Sequence, residues 1–443
     1  MAADPDPATP TLVITDARLA GDPTTPVTVT LDDRTILEVA AGHVEATSAA
    51  GRWAVADIPT IAAEGGLVTA PFVNAHMHLC KVFTLDLVGD GALRAYSAPG
   101  MADANTAIDL AREAKSHYDV ERIAENATQV LLDGLAHGVT HVRAFADVDS
   151  RAGLRGVEGV LAARDRVAGL VDVEVVAFPQ DGIVRDPGSR DLVARALELG
   201  ADVVGGIPWI EASDADQQRH VDLMLDLAVA HDVDVAMLVD DSGDARLDTT
   251  RMLAEAAIQR GWEGRVAACH ARAIGLYDAP RLADLIALSR DAGLGFVANP
   301  HTGPLHLPIF ELAAAGLWVA LGQDDIVDAY YPFGQHSMLE VAFLAAHVLH
   351  RYDLADAEQL LGMVTAAPAS VVGRPTGPIA AGAPAELVVL RGATPREALR
   401  LHAAPRAVVR GGRVVASSRA VTTIAEAPGQ SPRPVPIGAR HAS

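Results

Sequence analysis

The chain has 443 residues, half of them hydrophobic, which is enough to bury a large core. Its net charge of −22 leaves no basic patch to neutralise phosphates and argues against nucleic acid as a partner. No apolar run is long enough to span a bilayer, so no membrane role is expected. The opening MAADPDPATP lacks a basic region followed by an apolar one, so a cytoplasmic chain is expected. Two cysteines, Cys80 and Cys269, form no disulfide framework or zinc-ribbon spacing. Aromatic residues make up only 4%, so Ala, Val, Leu and Ile must build the core, as suits helices packed on buried parallel strands. The acidic charge is read as a solubility feature. Lys81 and Lys115 are the only lysines.

In chain order, short β-like runs come first: Thr11–Thr15, Val27–Leu31, Ile36–Ala40 and Gly66–Ala70, separated by Gly and Asp turns. From about residue 71 to 365, β-branched runs alternate with longer amphipathic stretches. The strand candidates are Pro71–His76, Thr140–Ala146, Val173–Phe178, Val203–Ile207, Val235–Val239, Val266–His270, Gly295–Asn299 and Trp318–Gly322. A helix is expected over Val120–His137, stopped by Gly138. Eight strands alternating with helices predict a (β/α)8 TIM barrel with a parallel sheet. Beyond 365, Gly377–Leu390 and Arg406–Ala416 read as strands with Gly turns, the second as a hairpin. The expected organisation is 1–70 and 366–421 as two parts of one small composite β domain, 71–365 as the catalytic barrel, and 422–443 as a disordered tail rich in Pro and Ser.

In such a barrel the active site lies at the carboxyl ends of the strands. The first strand ends in PFVNAHMHLCK, where His76 and His78 are two apart and point to one face. Two imidazoles so placed can both reach one metal ion at ~2.1 Å. Asp324 follows the eighth strand in ALGQDDIVDAYYPFG, where an aspartate is otherwise a common turn or cap residue. With HxH closing the first strand after a β unit, the chain resembles the amidohydrolase superfamily. GVTHVRAFADVDS, VAFPQDGI, GGIPWIE and DDIVDAYYPFG fall in order and look like the cytosine-deaminase branch.

The resemblance implies that Asp324 ligates the metal and takes a proton from the attacking water. It implies that Gln180 of FPQ binds the amide edge of a ring substrate, for which a primary amide has the donors and acceptor. His270, closing the sixth strand in VAACHARAI, would steady developing charge. Asp241 stands where the branch has a glutamate that protonates the leaving nitrogen.

The pattern also breaks. Leu238 of VAMLVDDSGD occupies the place of a metal-ligating histidine, and a leucine ligates nothing. Phe145 stands where relatives tend to carry histidine, and Cys80 and Ser337 where they carry aspartate. Three arrangements follow: His76, His78 and Asp324 holding the ion, with His270 or water completing the shell; His301 of NPHTGPLH substituting as a ligand; or a site without metal. A two-metal site is set aside, since Lys81 lies too near HxH and Lys115 lies in a helical stretch. The H-x-E with P-C-x-x-C of the small zinc nucleobase deaminases is absent.

The expected activity is hydrolysis of a C–N bond in a small cyclic amide or amidine. It would depend on one weakly held divalent ion, zinc or iron, that activates a water. Asp241, His270 and Asp324 are the expected catalytic groups, and Gln180, Leu238 and His301 the substrate-binding ones. The alternatives are a metal-free lyase, cyclase or ring-opening enzyme, and a non-catalytic binding protein on the same scaffold. A small-molecule substrate and a homo-oligomer are the expected partners.

Overall fold

The computed structural model describes residues 9–42, 58–373, 378–424 and 433–435. Eight parallel strands form one sheet: β6 (Phe72–Met77), β7 (Val139–Asp147), β8 (Asp172–Phe178), β9 (Val203–Gly206), β10 (Asp234–Val239), β11 (Val266–His270), β12 (Gly295–Ala298) and β13 (Val319–Leu321). They match the eight expected strands to within one residue at every end, and β11 coincides with its expected bounds. Five earlier strands precede them: β1 (Leu12–Leu19), β2 (Asp22–Leu31), β3 (Ile36–Ala41), β4 (Thr60–Ala62) and β5 (Leu67–Thr69).

The ring closes where the last strand meets the first. Met77 and Asp324 form a parallel bridge, His78 N–H donates to the Asp324 carbonyl at 2.8 Å, and Asp324 N–H donates to the His76 carbonyl at 2.9 Å. The Asn74 carboxamide reinforces the seam by accepting from the backbone N–H groups of His76 and Gln323 at 3.3 and 3.1 Å. Inside the ring, Val73, Ala75, Phe145, Val176, Phe178, Ala236, Leu238, Ala267, Cys269, Val297 and Ala320 form one apolar cluster. Small and branched side chains fill this narrow interior, as composition requires. One buried charge pair, Arg143 to Glu174 at 2.9 Å, lies lower in the barrel, on the same inward register as Phe145.

The sheet outside the barrel takes strands from both ends of the chain. Its order runs β16 (Arg413–Ser417), β15 (Ala407–Arg410), β14 (Leu387–Val389), β5, β1, β2 and β3, with the antiparallel β5–β14 pair as the junction. Of the run Gly377–Leu390, only Leu387–Val389 is a strand, and Gly377 lies outside the described residues. The hairpin expected over Arg406–Ala416 is β15–β16.

Three features depart from the sequence-based expectation. The helix Ala366–Val371 packs against β6, β12 and β13, sealing the barrel. The helix Pro395–Leu401, capped by Thr394, packs on the barrel helices Met338–Val348 and Leu354–Gly362. The tail was expected to lack order from Thr422. Instead β17 (Thr422–Ile424) pairs with β18 (Arg433–Val435), because alternate backbone groups in the two segments satisfy each other. The rest of the tail lies outside the described residues.

Between β6 and β7 the chain makes the helices Leu85–Val88, Gly91–Tyr96 and Ala104–Ala111 before the expected helix, here Val120–Ala136. Tyr96, Met101 and Ile108 of this excursion join the interior cluster, so the segment covers the carboxyl-end mouth. Among the described residues no helix is long and apolar enough to cross a membrane.

Gly322 sits at the closing seam, where a Cβ would lie 2.8 Å from the His76 Cβ and 2.9 Å from the His76 carbonyl oxygen. Gly322→Ala should therefore push β13 away from β6. The expected loss is about 1–3 kcal/mol of stability, read from urea unfolding, with weakened metal retention in the same protein.

Candidate active site

The seam that closes the barrel also brings the first metal-ligating candidates together. His76 and His78 end β6, and Asp324 follows β13 with a left-handed backbone (φ 67°). His76 Nε2 lies 3.2 Å and His78 Nε2 3.8 Å from Asp324 Oδ1. His270 ends β11, also left-handed (φ 67°), with Nε2 3.4 Å from Asp324 Oδ1 and 3.2 Å from His76 Nε2. Bonds of about 2.1 Å to a tetrahedral ion place its ligand atoms about 3.4 Å apart, so this spacing fits a single ion.

The donor chemistry fits as well. Burial carries His76 down to about 4, and burial with the nearby Lys81 charge holds His78 well below the ordinary histidine value. Both imidazoles are therefore neutral, as ligation requires. Asp324 Oδ1 is buried with no hydrogen-bond partner, whereas Oδ2 accepts from Thr302 at 2.8 Å. A buried carboxylate oxygen left unpaired beside two neutral imidazoles is the donor set that a divalent cation takes.

His270 differs from the other two imidazoles. An Arg272 Nη1 lies 2.7 Å from its Nδ1, and a guanidinium only donates, so Nδ1 carries the lone pair. With the Asn299 amide turned to donate to the carbonyls of Ala298 and Gly322, its oxygen accepts from His270 Nε2 at 3.2 Å. Both contacts put the proton on Nε2. His270 is thus placed to donate toward the cluster; burial would lower its pKa, but Asp241 and Asp324 outweigh burial and raise it. The residues best placed to ligate an ion are His76, His78 and Asp324.

Arg272 was not singled out from sequence. It is 2% exposed, and its guanidinium contacts Asp241, Tyr96 Oη at 2.6 Å and Thr302 Oγ1 at 2.5 Å. Burial would raise the Asp241 pKa, but Arg272 and His270 outweigh it and hold that carboxyl below the ordinary carboxylate value. Asp241 Oδ2 also lies 3.4 Å from His270 Nδ1. The only sequence signal was the spacing in HARAI, which puts Arg272 two residues past the strand-ending histidine.

A cavity of about 20 Å³ opens above the cluster, bounded by His78, His270 and Asp324 on one side. Gln180, Trp209, Leu238, Asp241, Asp325 and Tyr330 line the rest, with Ile108, Ile207 and Tyr96. That is room for about one water molecule. Gln180 faces this space with much of its amide engaged: Oε1 accepts from Lys81, and Nε2 donates to Tyr330 Oη at 2.8 Å. Burial disfavours the Lys81 ammonium, but Asp147 at 3.3 Å more than compensates and keeps it charged.

Leu238 is in the wall, 5% exposed, and Phe145 covers the base of the cluster with its ring centroid 4.1 Å from that of His76. Hydrocarbon therefore takes the space where relatives carry further imidazoles. His301 is a correction. Its Nε2 faces the Gln323 carbonyl at 2.9 Å and its ring packs on Tyr331, so it neither joins the cluster nor lines the pocket. The chain turns away after β12, and the ring is spent on the loop. Cys80 receives the Asp147 N–H, and Ser337 caps the helix Met338–Val348, so both of these departures are structural.

The family pattern described as the amidohydrolase family matches residues 59–416. The chain belongs to that family, in its cytosine-deaminase-like branch, and is a hydrolase of carbon–nitrogen bonds other than peptide bonds. It is 31% identical to the N-isopropylammelide isopropyl amidohydrolase of Pseudomonas sp. (strain ADP) over 366 residues, covering 82% of this chain and 89% of that protein. A pterin deaminase of Rhizobium rhizogenes is 29% identical over 367 residues, 79% of this chain and 80% of that protein. Among solved structures, the 5-methylcytosine deaminase of Klebsiella pneumoniae liganded with 5-fluorocytosine aligns with a TM-score of 0.80 at 29% identity, covering 92% of this chain and 98% of that one.

Arg272 and Asp241 form a buried ion pair, so removing one partner strands the other charge. Arg272→Met should cost about 3–5 kcal/mol, and adding Asp241→Leu should recover most of it. A double-mutant cycle by chemical denaturation reads the coupling.

Proposed function

We propose that this enzyme hydrolyses an exocyclic or ring C–N bond of a small N-heterocycle carrying amide or amidine groups. It would use one divalent ion held by His76, His78 and Asp324. The observation that carries the reading is the unpaired Asp324 Oδ1 beside two neutral imidazole Nε2 atoms, at the floor of a cavity that Gln180 and Asp241 also line. The substrates named for its relatives, an alkylammelide, a pterin and 5-methylcytosine, are all rings of this class.

When bound, the ion supplies a water that ionises near neutral pH. The protein residues do the rest. Asp324, with Oδ2 fixed by Thr302, receives the proton of the attacking water. His270 donates from Nε2 to the negative charge that grows at the attacked carbon's substituents, with Arg272 fixing its tautomer from behind. Asp241, ionised at rest, takes over the proton that Asp324 received and delivers it to the departing nitrogen as the C–N bond breaks. It is one methylene shorter than glutamate, and Arg272 and Tyr96 set its position in place of length. Gln180, held by Lys81 and Tyr330, presents its remaining N–H and lone pair to the ring edge.

The metal requirement is tested by chelation. Activity on an amino- or alkylamino-substituted triazine or pyrimidine should vanish with the ion and return with zinc or iron. Activity that survives complete removal of metal would overturn the reading in favour of metal-free acid–base chemistry at Asp241, His270 and Asp324. Asp241→Asn should lower kcat by about 10²–10⁴-fold with a smaller change in KM.

Leu238 lines the pocket from β10, beside the strand that carries His270. Leu238→His should add a ligand atom and slow metal loss to a competing chelator, measured by metal content over time.

A further inference from the structure

Trp209 follows β9 in a short 3-10 turn, Pro208–Ile210, and lines the pocket. It is 4% exposed, and its Nε1–H has no hydrogen-bond partner. An indole nitrogen only donates, and buried donors are almost always paired. The neighbouring wall residues Ile207, Leu238 and Ile108 offer no acceptor side chain. The carboxylates of Asp241 and Asp325 bound the same space without bonding to it. The missing acceptor must therefore come from whatever fills the pocket.

Strand order says which part of a ligand brings it. In the eight-membered ring β9 lies four strands from β13, directly across the mouth from Asp324. A ring whose reacting carbon sits over His76, His78 and Asp324 turns its far edge to Trp209, with Gln180 of the adjacent β8 loop beside it.

We propose that Trp209 is a specificity-determining residue whose indole N–H donates to an oxo group on the far edge of the substrate ring. The substrate class thereby narrows from N-heterocycles in general to oxo-substituted ones. An exocyclic oxygen projects beyond the ring perimeter toward that wall, whereas a ring nitrogen does not. An amino group in its place would set donor against donor. This inference rests on the hydrolase reading above, and its test separates the two.

The metal-loaded enzyme is assayed with two matched pairs, cytosine against 2,4-diaminopyrimidine and ammeline against melamine. In each pair an oxo group is exchanged for an amino group. In parallel, protein labelled with ¹⁵N at the indoles of its four tryptophans is titrated with the same compounds, and Trp209→Phe assigns the Trp209 signal. The expected result is a downfield shift of the Trp209 Nε1–H signal with the oxo member of a pair and none with its partner. Trp209→Phe should lower kcat/KM for the oxo member by about tenfold or more, and by clearly more than for the amino member. If Trp209→Phe does not fold, Phe substitutions of Trp53, Trp262 and Trp318 assign the Trp209 signal by elimination, and the wild-type titration decides. Turnover of an oxo member with an unmoved Trp209 signal would overturn the role of Trp209 and leave the hydrolase reading standing. Failure of all four compounds to bind or react would overturn the substrate-class reading, and this inference with it.

Discussion

The structure depends on one backbone seam. Two hydrogen bonds, from His78 to the Asp324 carbonyl and from Asp324 to the His76 carbonyl, join the last barrel strand to the first. They are also what sets two imidazoles and a carboxylate around one point. Closing the barrel and assembling the ligand cluster are therefore the same event. The left-handed backbones of Asp324 and His270 belong to this arrangement. Each turns a side chain off the end of its strand toward the barrel axis, at a conformational cost that the surrounding ladder sustains.

Around that cluster the chain sets hydrocarbon and, added to it, one buried guanidinium. Leu238 and Phe145 exclude water from the base of the site, which strengthens every electrostatic contact left within it. Arg272 is the added charge. Its guanidinium touches Asp241, His270, Tyr96 and Thr302, so the acid–base side chain, the oriented imidazole and the covering segment answer to a single residue. An arginine suits this position because its donors form a rigid planar fork and it never deprotonates.

The barrel was legible in the sequence because its strands are continuous apolar runs, and buried parallel strands produce that pattern. The ligand cluster was legible where ligand residues sit at strand ends in fixed spacing, as His76, His78 and Asp324 do. Four things were not. Arg272 carries no periodic or motif signal, since a lone arginine past a strand end is ordinarily a solvated one. His301 had the same strand-end credentials as His270, and only the path of the loop after β12 sends its ring to the Gln323 carbonyl. The covering segment over residues 85–117 gives short helices with weak apolar faces, and their packing on the barrel mouth is a tertiary effect. The helix Pro395–Leu401 was hidden for a similar reason, its sequence lying between two strong β runs.

The two lysines carry one more consequence. Lys81 is buried against Asp147 and Gln180, and Lys115 against Asp149 and Asp181 at 2.6 and 2.9 Å. Every side-chain amine the chain possesses is thus locked inside, and its surface cations are guanidinium groups. Acylating reagents, amine-reactive crosslinkers and enzymes that conjugate to lysine meet no accessible side-chain target on the folded protein. Their reaction at Lys81 or Lys115 would instead report unfolding, which makes these two amines a built-in chemical clock for opening of the native state.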